Sequence, residues 1–185
     1  MTEVTRVPLQ PIAQGALTKL WLGVLAVALA AAGLAWASMP PGVELTVIKE
    51  GTGTKPTAED VVWIKYVGKT GDGTEFQRTP DNPLGLPPSF PKGLLPDGVP
   101  MEVNKAVPGF TEGLLKMQKG GKYTLRIPAE KGYGANPPAE SQIPPNSELI
   151  FDVEVVDVMT RKQVEERFAK AREFMAQFEA SQGGG

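Results

Sequence analysis

Gly121-Lys122-Tyr123-Thr124-Leu125-Arg126-Ile127-Pro128 and, further on, Leu149-Ile150-Phe151-Asp152-Val153-Glu154-Val155 decide the fold. Tyr123, Leu125 and Ile127 alternate with polar neighbours, and Leu149, Phe151, Val153 and Val155 are interleaved with Asp152 and Glu154. A period of two marks strands with one buried face. Between them Ala129 to Glu148 forms a loop of 20 residues punctuated by Gly132, Gly134 and four prolines. An irregular segment of that length inside a compact domain is usually functional or disordered.

Working back from this pair, Val43, Leu45 and Val47 alternate like an edge strand. Val61-Val62-Trp63-Ile64-Lys65-Tyr66-Val67 reads as a strand too apolar to be half exposed along its length. Gly71-Asp72-Gly73-Thr74 is a hairpin-type turn, because Asp-Gly supplies the positive φ such turns need, and Glu75-Phe76-Gln77 returns from it. Pro80 to Pro100 holds seven prolines in 21 residues. Proline has no donor and a fixed φ, so the segment is neither inner strand nor helix but a semi-rigid insertion. Met101-Glu102-Val103-Asn104 is expected to resume the sheet. Pro108 to Met117 reads as a short helix with Phe110, Leu114 and Met117 on one face, ended by Gly120-Gly121.

The flanks differ in kind. Leu20 to Ala37 is an unbroken run of 18 apolar or small residues, close to the ~20 needed to span a bilayer as a helix. Arg6 and Lys19 precede it and Glu44 follows, which orients the N-terminus to the cytoplasm. A cleaved signal peptide is the rival reading, with Ala35-Trp36-Ala37 as its cleavage pattern. Either way the rest of the chain is exported. Met39-Pro40-Pro41-Gly42 is a stiff linker. After Arg161 the composition turns charged, with Val164, Phe168, Ala171, Met175 and Phe178 in a stripe that packs on its own domain or on a neighbouring subunit. The expected organisation is therefore an N-terminal segment 1–19, a transmembrane helix 20–38, a linker 39–42, a domain 43–158 containing the insertion 80–100, a C-terminal amphipathic helix 159–180 and a tail 181–185.

Composition narrows the chemistry. The formal net charge of −2 gives no footprint for nucleic acid. With neither His nor Cys in the 185 residues, no Ser-His or Cys-His nucleophile, thiol redox centre or His/Cys metal site can be built.

The order of motifs resembles the FKBP-type peptidyl-prolyl isomerases. The carriers are the Tyr66 strand before an Asp-Gly turn, Ala106-Val107-Pro108-Gly109-Phe110 entering the helix, Gly132-Tyr133-Gly134, Ile143-Pro144-Pro145, and Phe151 on the last strand. The resemblance implies an α+β domain, an antiparallel five-strand sheet wrapped around one short helix. It also implies catalysis of cis-trans exchange at X-Pro bonds without a cofactor or metal. Tyr66, Phe76, Tyr133 and Phe151 match the family's catalytic pocket. Val107, Phe110, Ile143 and Gln77 match its substrate-binding positions. Phe110 stands where the family places an indole, and Gln77 where it commonly has an aspartate, which implies weakened binding of the family's macrolide ligands. The family's connection at the Pro-rich insertion is shorter. Leu86-Pro87, Phe90-Pro91 and Leu95-Pro96 look like accepted X-Pro pairs, so the insertion is expected to cover the pocket or dock a proline in it; a surface loop contacting another protein is the alternative.

Three functions fit these readings. The first is an isomerase tethered to a bacterial-type inner membrane, its domain periplasmic, acting on proline-containing polypeptides during folding of exported proteins. The second is a catalytically weak accessory subunit of a membrane protein complex. The third is a chaperone dimer joined by the C-terminal helix.

Overall fold

A computed structural model describes residues 16–37 and 42–182, and within the first helix the side chains of residues 21–31, 33 and 34. That helix, α1 (Ala16–Ala37), belongs to a unit of its own, distinct from the one beginning at Pro41. Among the described residues no helix is long and apolar enough to cross a membrane. The expected span of 20–38 lies partly outside the described side chains.

The second unit holds β1 (Glu44–Lys49), β2 (Val61–Thr70), β3 (Glu75–Arg78), β4 (Val99–Glu102), β5 (Lys122–Ile127) and β6 (Leu149–Met159), with α2 (Pro108–Leu114) and α3 (Arg161–Gln182). The sheet runs β1-β5-β6-β2-β3, antiparallel throughout, with β4 also paired to β2. Six strands replace the expected five because β3 and β4 share one lane. Val67 to Lys69 of β2 pair with β3, and Val61 to Ile64 pair with β4. The Pro-rich insertion is thus an excursion out of a single edge lane. Strand pairing resumes at Val99, earlier than the expected Met101, and takes in Pro100. An edge lane tolerates the missing donor. Val103–Lys105 is a 3-10 turn, not strand, and α2 stops at Leu114, ahead of the glycine pair.

Alternation sorts side chains onto two faces. Val62, Ile64, Leu125, Ile127, Leu149, Phe151, Val153 and Val155 face α2, where Phe110, Leu114 and Met117 complete one core. A bulge where β2 passes from Trp63 to Ile64 shifts the register against β6. Met159 thereby joins Trp63 on the opposite face. There a second core forms from Trp63, Leu95, Met159 and Ala171, packed by Leu84, Leu86, Phe90, Leu94, Val164 and Phe168. This explains the continuous apolar run Val61 to Ile64, which is buried on both sides.

The second core is where the insertion and α3 meet. Phe168 stacks on Trp63 at 6.0 Å, and Phe90 meets Phe174 edge-on at 5.5 Å. The Arg167 guanidinium donates to the carbonyls of Gly93 (3.1 Å) and Leu94 (3.3 Å). Lys65 pairs with Asp97, holding the insertion's end to β2. Val164, Phe168 and Ala171 of the C-terminal stripe pack on their own domain.

Candidate functional site

The main core opens at one end into a hollow of about 800 Å³. β6 supplies its central ring, Phe151. Phe151 is 6% exposed and receives Phe110 at 4.8 Å, Phe76 at 5.8 Å and Tyr66 at 6.1 Å, each near edge-on. Such geometry sets the electropositive edge of one ring on the face of another. Gly68 makes this crowding possible: a Cβ there would lie 2.7 Å from Phe76 Cζ and 2.9 Å from Phe151 Cε1. Sequence reading passed over Gly68, since an unremarkable glycine inside a strand shows its reason only when the rings above it are placed.

Of the eight expected site residues, Tyr66, Gln77, Val107, Phe110, Tyr133 and Phe151 line the hollow. Phe76 and Ile143 do not. Phe76 sits behind Phe151, and Ile143, 7% exposed, is inserted into the main core. Ile143 therefore anchors its loop from within the core instead of lining the hollow.

The 129–148 loop is ordered by its own hydrogen bonds. Gly134, at φ +58, donates to the Ala129 carbonyl (2.9 Å) and accepts from the Asn146 N–H (2.7 Å). A left-handed residue is needed there, and glycine adopts that region without strain. The turn leaves Tyr133 37% exposed at the mouth of the hollow. Burial pushes the Tyr66 phenol above its ordinary pKa, with the nearby Tyr133 phenol adding to the effect. Tyr66 therefore stays a neutral donor. Among the described residues, neither phenol and not the Val107 N–H has a hydrogen-bond partner. The hollow is thus lined by apolar rings and by residues that carry unpartnered donors, Tyr66, Tyr133, Val107 and Gln77 among them, and among the described residues no cluster could hold a metal ion.

The far wall was not foreseen. It consists of Val61, Pro100, Met101 and Glu102, with Arg161, Val164, Glu165 and Phe168 of α3. The Lys105 ammonium (2.5 Å) and Arg161 (3.1 Å) converge on Glu102, and the hydrogen bond from Lys105 is the main cause holding that carboxyl below its usual range. The insertion, by contrast, neither covers the hollow nor docks a proline in it. Its apolar side chains are used against α3 and Trp63, and Pro100 at its end is its contribution to the lining.

Residues 52–156 match the profile of the FKBP-type peptidyl-prolyl cis-trans isomerase family. The chain belongs to that family. It is similar to the FKBP-type peptidyl-prolyl cis-trans isomerase FkpA of Escherichia coli K12, 42% identical over 118 residues, covering 63% of this chain and 38% of the relative. It also resembles the outer membrane protein MIP of Legionella longbeachae, 32% identical over 120 residues, covering 65% of this chain and 46% of that one. A crystal structure of a peptidyl-prolyl cis-trans isomerase from Pseudomonas syringae pv. tomato superposes with a TM-score of 0.52 at 27% identity, covering 68% of this chain and 87% of that one. The matched region spans about two fifths of the length of the FkpA relatives. Helix α3, from Arg161 onward, lies beyond the family match.

Proposed function

We propose that the chain is a peptidyl-prolyl cis-trans isomerase acting on proline-containing polypeptides. The observation that carries this reading is an aromatic-walled hollow with unpartnered donors at Tyr66, Tyr133 and Val107. The barrier to rotation about the X-Pro bond is amide resonance, about 18–20 kcal/mol, and unassisted exchange takes on the order of tens to hundreds of seconds. No bond to the enzyme is required. The planar amide is the more polar, better hydrated form, so seating it against Phe110 and Phe151 removes water that favours it. The carbonyl oxygen becomes a weaker acceptor as resonance is lost, so the donors favour the transition state only by being placed to reach that oxygen in the twisted geometry and not in the planar one. Tyr66, Tyr133 and Phe151 act on the bond, Phe76 positions Phe151, and Val107, Phe110 and Gln77 hold the peptide. Ile143 fixes the Tyr133 loop from within the core.

Tyr133→Phe in the full chain tests this. Removing one donor is expected to lower kcat/KM for a Leu-Pro or Phe-Pro peptide roughly fivefold, equivalent to about 1 kcal/mol. Because Tyr133 is 37% exposed, the melting temperature should hold. An unchanged rate would remove Tyr133 from the chemistry. A folded wild type that accelerates nothing would favour the accessory-subunit reading, which Phe110 and Gln77 support by departing from the family pattern.

The domain is exported and tethered to a bacterial-type inner membrane by residues 20–38, with the N-terminus cytoplasmic and the isomerase domain periplasmic. In α1, Trp21, Leu22, Val24, Leu25, Val27, Leu29 and Leu34 are 52–71% exposed, and an apolar surface of this kind marks a membrane or partner contact. The Legionella relative's name assigns that protein to the outer membrane, an envelope address that agrees with export. After expression, the protein should stay in the membrane pellet through alkaline carbonate, with its domain digestible from the outer side. Release by carbonate, or a mature N-terminus beyond Ala37, would replace the tether with a cleaved signal.

A further inference from the structure

The hollow is one continuous space with two unlike ends. One end is the ring cup around Phe151, Phe110, Tyr66 and Tyr133. The other is built by Val61, Met101, Val164 and Phe168, with the ion-paired Glu102 and Arg161 beside them. Helix α3 supplies Val164 and Phe168, and it lies outside the residues matched to the family. At about 800 Å³ the space falls in the upper part of the ~300–1,000 Å³ range of sites that enclose a drug-sized ligand, more than an X-Pro pair alone requires.

We propose that α3 builds a second compartment of the substrate site, which seats the side chain of a large apolar residue two or more positions away from the isomerised proline. The inference rests on the isomerase reading for the cup. Three features support it. The compartment opens directly into the cup, so a peptide held there is delivered to it. Its wall is apolar: Val164 and Phe168 are half-buried, needing only a partner's side chain to leave water, and Val61 behind them is 5% exposed. Its wall is also fixed, since Phe168 stacks on Trp63 and Arg167, one position earlier, is held by the insertion's carbonyls. A preformed apolar recess loses little freedom when filled. Arg161 and Glu102 satisfy one another, and the remaining carboxylate of this wall, Glu165, is exposed to water, outside the apolar part formed by Val61, Met101, Val164 and Phe168.

The test is a set of peptides of one length and one X-Pro pair, in which a single leucine is walked from two to four residues away on either side of the proline against alanine. Affinity is read by calorimetry on the full chain and turnover by cis-trans exchange. At one position leucine should bind roughly fivefold to tenfold tighter than alanine, as expected for a half-buried side chain. Val164→Asp should abolish that ratio by placing a carboxylate in the apolar wall, and Val164→Ala should reduce it without the charge. Circular dichroism and thermal melting establish that both variants fold. Tyr133→Phe should slow all peptides by one factor and leave the ratio intact. A leucine/alanine ratio near one at every position, or a ratio indifferent to Val164→Asp, overturns the compartment. If the preference is present but no peptide is accelerated, the compartment stands and the isomerase reading of the cup falls.

Discussion

Phe151→Ala is expected to reduce X-Pro isomerisation to near the uncatalysed rate and to destabilise the domain by about 3–5 kcal/mol, the usual cost of emptying a buried phenylalanine site. Phe151 meets three rings at steep interplanar angles and rests against Gly68, so the void would lie where those rings converge. Loss of fold and loss of site are confounded in that variant alone. Phe151→Leu separates them. Leucine restores much of the volume, and conservative apolar exchanges usually cost less than about 1.5 kcal/mol. It forfeits the flat surface and the edge-on contacts, each worth about 0.5–1.5 kcal/mol. Denaturant unfolding should therefore show Phe151→Leu cooperatively folded and less destabilised than Phe151→Ala, while peptide turnover stays at least roughly tenfold down, about 1.4 kcal/mol in the barrier. Full turnover from a stable Phe151→Leu protein would mean that the ring serves packing and not the reaction.

Local patterns carried much of this architecture in advance. The alternation in Tyr123 to Ile127 and Leu149 to Val155 marks two paired strands, and Ala106 to Phe110 marks the helix entrance. Six of the eight expected site residues line one hollow, and they were legible because each belongs to a short motif whose order along the chain can be read without coordinates. What could not be read depends on register or on distant contacts. The bulge beside Trp63 leaves no local signal, yet it decides that Met159 joins Trp63 on the second face. The shared lane of β3 and β4 is equally silent, since nothing in Arg78 or Val99 says that they flank one excursion from the same strand position. Ile143 matches a substrate-binding position by its motif, and its burial is set by how the whole loop closes. The stripe on the last helix announced an apolar face without saying what it covers. Phe174 was missed altogether because it lies off the stripe and meets Phe90 of the insertion.

Trp63→Ala is the second large expectation, and it tests whether the two faces of the sheet are coupled. Trp63 is fully buried and stacks on Phe168, so truncation should cost about 3–5 kcal/mol. The loss should be felt first in α3 and the insertion, which have few other anchors. Amide hydrogen exchange is expected to rise across 161–182 and 84–95 before it rises in β5 or β6, as an opening unit smaller than the whole domain. Trp63→Phe should be far milder. Among the described residues the Trp63 Nε1–H is buried with no acceptor, and removing an unsatisfied donor returns about 1–3 kcal/mol against the ring area lost. Exchange protection in α3 that is indifferent to Trp63→Ala would show that the helix is held from elsewhere. Protection that falls in step with the affinity for leucine-bearing peptides would tie that core to the hollow. Val164 and Phe168 reach the substrate side only while Trp63 holds α3 in place.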